Sequence, residues 1–242
     1  MKKNIGLIIQ IGIVVILVGI LMFNLGRRSS DGGITGNSIT SFKEDSGIIP
    51  TGTPKIYGNE LKVKYDDIST ANPRLTDASI GVLGNLDNKI TLTGADLDRY
   101  IKIASQISCE YCCGVASIIV RSEDVAAMNQ KIESAIKTGQ ITEEQAKEYR
   151  QSAGAPACGC AHSYAMRGLA KYLIKNHPKE FSDDEILEEL GKWKVLFFPD
   201  IHKTKAAILK EQGIEINYIN LASNKYRGIE KGSSAGEMVG GC

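Results

Sequence analysis

The sequence predicts a mainly α protein: one N-terminal transmembrane helix, a flexible tether, and a helical domain with a small β element and a Cys/His cluster. Three observations lead there. Residues 5–23 form an apolar run in which Gln10 is the single polar side chain. Apolar stripes at helical spacing, with capping signals, recur between residues 93 and 211. Five of the six cysteines lie in two tight groups, Cys109-x-x-Cys112-Cys113 and Cys158-x-Cys160-x-His162.

The apolar run is nineteen residues long. At about 1.5 Å per residue such a helix crosses a hydrocarbon core of roughly 30 Å. A cleaved signal peptide is the competing reading, because Met-Lys-Lys makes a fair basic start. Its apolar stretch, however, usually spans about 7–15 residues, and Met22-Phe23-Asn24-Leu25 offers no small-x-small cleavage site. No cysteine follows the run to take a lipid. The membrane, engaged through residues 5–23, is therefore the expected partner. Lys2 and Lys3 on one side nearly balance Arg27 and Arg28 on the other. Only four residues precede the run and over two hundred follow it. A short basic N-terminus of that kind stays in the cytoplasm and sends the domain outside.

Composition limits what that domain does. Hydrophobic residues make up 43% of the chain and charged ones 24%, so a packed core is expected. With the four basic residues beside the anchor set aside, 25 basic residues face 28 acidic ones. There is no Lys/Arg block and few aromatics, which argues against nucleic acid as a partner. Nor is there an anionic-lipid patch beyond Arg27-Arg28. No Gly-rich phosphate loop, Ser/His/Asp signature or paired-carboxylate motif offers a rival chemistry.

The chain divides into an anchor (1–25), a flexible linker (26–58), a Cys/His domain (59–220) and a Gly-rich tail (221–242). The linker is rich in Gly, Ser, Thr and Asn and has no apolar period. Leu61–Tyr65 and Lys89–Leu92 read as short strands between Asn/Asp/Gly turns. Thr93 is a plausible N-cap for a helix striped by Leu97, Tyr100, Ile101, Ala104 and Ile107, ending beside Cys109. Ser122 caps a helix to roughly Lys137, and the capping box Thr142-Glu-Glu-Gln145 opens another to about Gln151. Met166, Leu169, Ala170 and Leu173 stripe a helix starting near Ser163. Ser182-Asp-Asp-Glu185 is a second capping box, before Ile186, Leu187, Leu190 and Trp193. Pro199 suits the first position of a last helix to about Glu211.

The cysteine spacing carries the chemistry. Cys112 and Cys113 are adjacent, and Cys158 and Cys160 would close a strained small ring, so neither pair bonds easily within its group. Both groups sit where the chain turns, the first before Gly114 and the second at a helix start. A thiolate there is stabilised by unpaired N–H groups. Two knuckles, each giving two or three S/N ligands, are the usual construction of a Cys-rich metal site. The candidate ligands are thus Cys109, Cys112, Cys113, Cys158, Cys160 and His162. Thiolates with one imidazole suit Zn, Cu(I) or an iron–sulfur cluster. The 44 residues between Cys113 and Cys158 exceed a simple zinc ribbon. The helical pair in residues 122–151 therefore reads as an insertion between two strands of one knuckle pair. Two alternatives stay open. Cys109-Glu-Tyr-Cys112 looks like the active-site tetrapeptide of glutaredoxins and thioredoxins, which would make the protein a membrane-anchored thiol–disulfide oxidoreductase, though the βαβ context is missing. Disulfides across the two groups are the other.

Cys242 is either a further ligand or a free thiol. His177 and His202 read as exposed or capping. Tyr111, Tyr164 and Arg167 are close enough to line a pocket, and Trp193, Phe197 and Phe198 read as core. The segment Ala157-Cys158-Gly159-Cys160-Ala161-His162 resembles the core of the PCYCGC-motif family, Cys-rich, membrane-associated prokaryotic proteins thought to bind metal. The resemblance covers about ten of 242 residues and lacks that family's first motif cysteine and its lipid-anchor cysteine. It implies that Cys158 and Cys160 are ligands.

Overall fold

The structure, a computed structural model, describes residues 47–231 and 238–240. Among these residues it is mainly helical, and no helix is long and apolar enough to cross a membrane. The expected anchor, residues 5–23, lies outside the described residues, as does Cys242.

Nine α-helices follow in order: α1 (Tyr57–Leu61), α2 (Pro73–Lys89), α3 (Gly94–Ala104), α4 (Ser122–Lys137), α5 (Glu143–Tyr149), α6 (Ala161–Asn176), α7 (Asp183–Phe197), α8 (Pro199–Glu211) and α9 (Tyr218–Ala222), counted among the described residues. The centre of the domain is α6, which packs along α2, α3 and α7. Its stripe of Ala165, Met166, Leu169, Ala170 and Leu173 is fully buried. Helix α7 brings Ile186, Leu190, Trp193 and Phe197 to the same core, and the Ser182 hydroxyl accepts the Glu185 N–H at its start.

The expected small β element forms no named strand among the described residues, only bridges and a short ribbon. Isolated antiparallel bridges, Ile107 with Ser223 and Ile119 with Pro156 among them, stand in its place. Leu61 instead ends α1, Lys62 takes a left-handed conformation (φ 56°), and Tyr65–Asp67 form a 3-10 turn. Lys89, expected to open a strand, is the last residue of α2, a seventeen-residue helix where Asn/Asp/Gly turns were expected. Gly81, Gly84, Asn85 and Asn88 make its local helix preference weak. Tertiary packing overrides that preference: the Tyr164 ring lies on Gly84, and the Leu83 carbonyl lies against Gly168. A β-carbon at either glycine would overlap its neighbour.

The packed structure also reaches back before residue 59. The Tyr57 hydroxyl accepts from Trp193 Nε1 (2.7 Å) and donates to Glu189 Oε2 (2.8 Å), and Tyr65 donates to the same oxygen at 2.6 Å. Part of the expected linker, from about residue 48, is thus docked on the core.

Helices α4 and α5 rise from a short antiparallel ribbon. Val120 N–H bonds to Ala155 (2.8 Å), Gly154 N–H to Val120 (2.9 Å), and Ala157 N–H to Ile118 (3.3 Å). This is the inserted helical pair expected between two arms of a knuckle. The cap of α4 is Arg121 rather than Ser122, and its N–H and guanidinium both bond to Asp124.

Because α2 and α6 touch backbone to backbone, Gly168→Ala should cost about 1–3 kcal/mol, the range for an overpacked core. Urea unfolding checks this. A cost below that of an exposed Gly159→Ala change would show that the close approach is absent.

Candidate metal centre

After α3 the chain turns tightly. The Cys109 carbonyl accepts from both Cys112 N–H (3.2 Å) and Cys113 N–H (3.0 Å). Gly114, at φ 70°, lets the chain leave this curl. Cys109 is fully buried, Cys112 half-buried, and Cys113 lies toward the surface.

The second group is built at the start of α6. Cys160 is the N-cap itself, its sulfur accepting the Ser163 N–H at 3.4 Å. A helix start offers unpaired N–H groups and a positive dipole end, which favour a thiolate. His162, one position into the helix, is fully buried. Its Nε2 lies 2.8 Å from the Val239 carbonyl. A carbonyl only accepts, so Nε2 carries the proton and Nδ1 presents its lone pair in the neutral ring. Phe197 and Phe198 hold the ring at centroid distances of 4.6 and 5.1 Å.

Arg167 fixes the second group against the rest. Its Nε donates to Asp87 of α2 (2.7 Å), and one terminal nitrogen donates to the carbonyls of Cys158 (2.8 Å) and Ile118 (3.3 Å). Lys171 lies 2.6 Å from the other Asp87 oxygen. Arg167 therefore lines no pocket. It is a buried clasp joining both arms of the ribbon to α2 and α6.

The two groups meet. The sulfurs of Cys109, Cys112 and Cys160 and one ring nitrogen of His162 lie within 4.8 Å of one another, and so do the sulfurs of Cys113, Cys158 and Cys160. Such groups are able to hold a metal ion. Not all are thiols, however. Cys113 and Cys158 form a disulfide with α-carbons 6.5 Å apart, and Cys112 is disulfide-bonded as well. These three offer no thiolate in this oxidation state. The free thiols among the described residues are Cys109 and Cys160, with sulfurs 3.4 Å apart.

That pair shares protons unequally. The hydrogen bond with Cys109 lowers the Cys160 pKa, aided by the side chain and N–H of Ser163. The same bond, with burial, raises that of Cys109. The first proton lost is therefore that of Cys160, and Cys109 donates to its thiolate. Behind Cys109 lies a buried charged cluster. Lys194 Nζ donates to Glu110 Oε2 and the Ala222 carbonyl, each at 2.7 Å, and burial lowers its pKa. Tyr111 donates to Glu230 at 3.0 Å, with Lys205 4.0 Å from that carboxylate. Burial pushes Lys205 down to about 8 and His202 to about 3. Of the two histidines expected to be exposed or capping, both are buried, and His177 is the C-cap of α6: His202 donates from Nδ1 to Phe198 O, and His177 Nε2 sits 2.9 Å from Glu60. Trp193, Phe197 and Phe198 are core as expected. Sequence reasoning missed Val239, Lys194 and the Arg167 clasp. Only the last carried a signal, an arginine inside an apolar helix stripe.

Arg167→Met should leave Asp87 to Lys171 alone and the Cys158 and Ile118 carbonyls without their donor, and cost about 3–5 kcal/mol in chemical unfolding. Lys171→Met, which keeps the Arg167 bond, should cost much less, and equal losses would refute the clasp.

Comparison of the chain with protein-family models, curated proteins and solved structures finds no match.

Proposed function

We propose that this is a membrane-tethered metal-binding protein whose domain holds one soft transition-metal ion at Cys109, Cys160 and His162. The observation that carries the reading is the convergence itself. Residues from two loops far apart in sequence bring two free sulfurs and an imidazole within 4.8 Å of one another. The supporting hydrogen bonds suit ligands. Val239 fixes the His162 tautomer so that Nδ1 is the donor atom, and Ser163 fixes the Cys160 sulfur. Metal-binding histidines usually carry such a partner on their second nitrogen.

The donor set narrows the metal. An iron–sulfur cluster asks for about four protein thiolates, and with three cysteines oxidised two remain among the described residues. Two thiolates and one imidazole suit Zn(II) or Cu(I) and leave a fourth position open, as catalytic or exchangeable sites do. Cys112, once reduced, stands close enough to fill it. An oxidised pair beside the site accords with a domain outside the cytoplasm, where disulfides persist. The anchor at residues 5–23 and the outward orientation are part of this proposal. So is the kinship implied by the Cys158-Gly159-Cys160 resemblance, with Cys160 as the ligand.

The test is metal content of the full chain in detergent, loaded with Zn(II) or Cu(I) without reductant. One ion per chain is expected, lost on acidification because thiolates and imidazole must bind deprotonated. His162→Ala should weaken binding, and His162→Cys should retain it by offering a thiolate. Unchanged metal content in a Cys109→Ser/Cys160→Ser chain would end this reading.

A further inference from the structure

The four sulfurs of Cys109, Cys160, Cys113 and Cys158 form a continuous series. Cys160 touches Cys109 at 3.4 Å and belongs to the same close group as the disulfide sulfurs of Cys113 and Cys158. A free thiol in contact with a second free thiol on one side and a disulfide on the other is the arrangement thiol–disulfide exchange requires. We propose that the centre carries out this exchange internally, moving the disulfide from Cys113–Cys158 to Cys109–Cys160. The proposal deepens the metal reading by giving that site a redox state, though the exchange itself needs no metal.

The steps balance without an outside oxidant. The deprotonated Cys160 sulfur attacks Cys113 Sγ; the Cys160–Cys113 bond forms, the Cys113–Cys158 bond breaks, and Cys158 leaves as a thiolate that takes up the proton Cys160 lost. Attack on Cys158 is disfavoured, since Cys158-Gly159-Cys160 would close a strained ring. The Cys109 sulfur then attacks Cys160; the Cys109–Cys160 bond forms and Cys113 leaves, taking the proton from Cys109. Two electrons have passed from the Cys109/Cys160 pair to the Cys113/Cys158 pair. Gly159 is exposed, and a β-carbon there would meet nothing, so the segment between Cys158 and Cys160 has room to turn.

A metal ion on Cys109, Cys160 and His162 occupies both attacking sulfurs and holds the disulfide at Cys113–Cys158. Oxidation of Cys109–Cys160 in turn removes two ligands. Metal occupancy and disulfide position are thereby linked, each biasing the other.

The experiment follows the label. Full-length chain in detergent, freed of metal by chelator and held at mildly alkaline pH without reductant, is quenched in acid, unfolded and alkylated. Mass spectrometry then maps the alkylated cysteines. The expected result is label on all four residues, appearing at a rate independent of protein concentration. Cys160→Ser should lose all label from Cys113 and Cys158. Addition of Zn(II) or Cu(I) before incubation should return the label to Cys109 and Cys160 alone. Label confined to Cys109 and Cys160 in the metal-free chain, or arriving on Cys112 instead of Cys113 and Cys158, overturns the exchange while leaving metal binding intact. Label on all four residues that neither metal shifts upholds the exchange and overturns the metal reading.

Discussion

Two turns into α6, the Arg167 guanidinium donates to Asp87 on α2 and to the carbonyls of Cys158 and Ile118. Arg167 is only 3% exposed, so a lone positive charge there would carry a large desolvation penalty. The Asp87 carboxylate offsets it, and Lys171 shares that carboxylate from the next turn. The two carbonyls take the donors of one terminal nitrogen. The arrangement ties three pieces of distant sequence to one side chain: α2, the ribbon strand at Ile118 and the knuckle at Cys158. A ribbon tethered only by its few backbone bonds would leave the second cysteine group free to rotate. With Arg167 in place the knuckle has one position, and the sulfurs of both groups meet.

Once they meet, the helix start decides how they behave. Cys160 caps α6, and its sulfur accepts from Ser163 while Cys109, deeper and fully buried, donates to it. Lys194, held by Glu110 and the Ala222 carbonyl, provides a positive charge near Cys109. Two thiolates side by side are therefore costly until a cation arrives to replace the shared proton. Such a centre suits a soft metal ion and equally suits a disulfide, because both remove the repulsion between the two sulfurs. The metal reading and the internal exchange are consequences of this one electrostatic situation.

Much of the helical domain was legible because its signals are local. The boxes Thr142/Gln145 and Ser182/Glu185 form as their spacing predicts. The stripe from Met166 to Leu173 is buried, and the insertion of α4 and α5 between two arms of a knuckle followed from spacing alone. What stayed hidden depends on partners far away. The glycines and asparagines of α2 look like turn residues until Tyr164 and Gly168 are seen against them. Tyr57 stands in a stretch of prolines and glycines, yet Trp193 and Glu189 draw it into the core. Convergence of the two cysteine groups was readable from their spacing. The pairing of Cys113 with Cys158 was not, since it depends on where the ribbon sets each sulfur. Val239 gave no warning either: one apolar residue in a Gly-rich tail, with no pattern to single it out, supplies the carbonyl that orients His162.

The central claim is that two thiolates and one imidazole hold the ion while the neighbouring disulfide stays closed. X-ray absorption at the metal edge of the full chain, loaded with Zn(II) or Cu(I) without reductant, tests it most directly. For Zn(II) the account predicts two sulfur scatterers at about 2.3 Å and an imidazole nitrogen at about 2.0–2.1 Å. A first shell without sulfur, or one with sulfur and no imidazole, would contradict it.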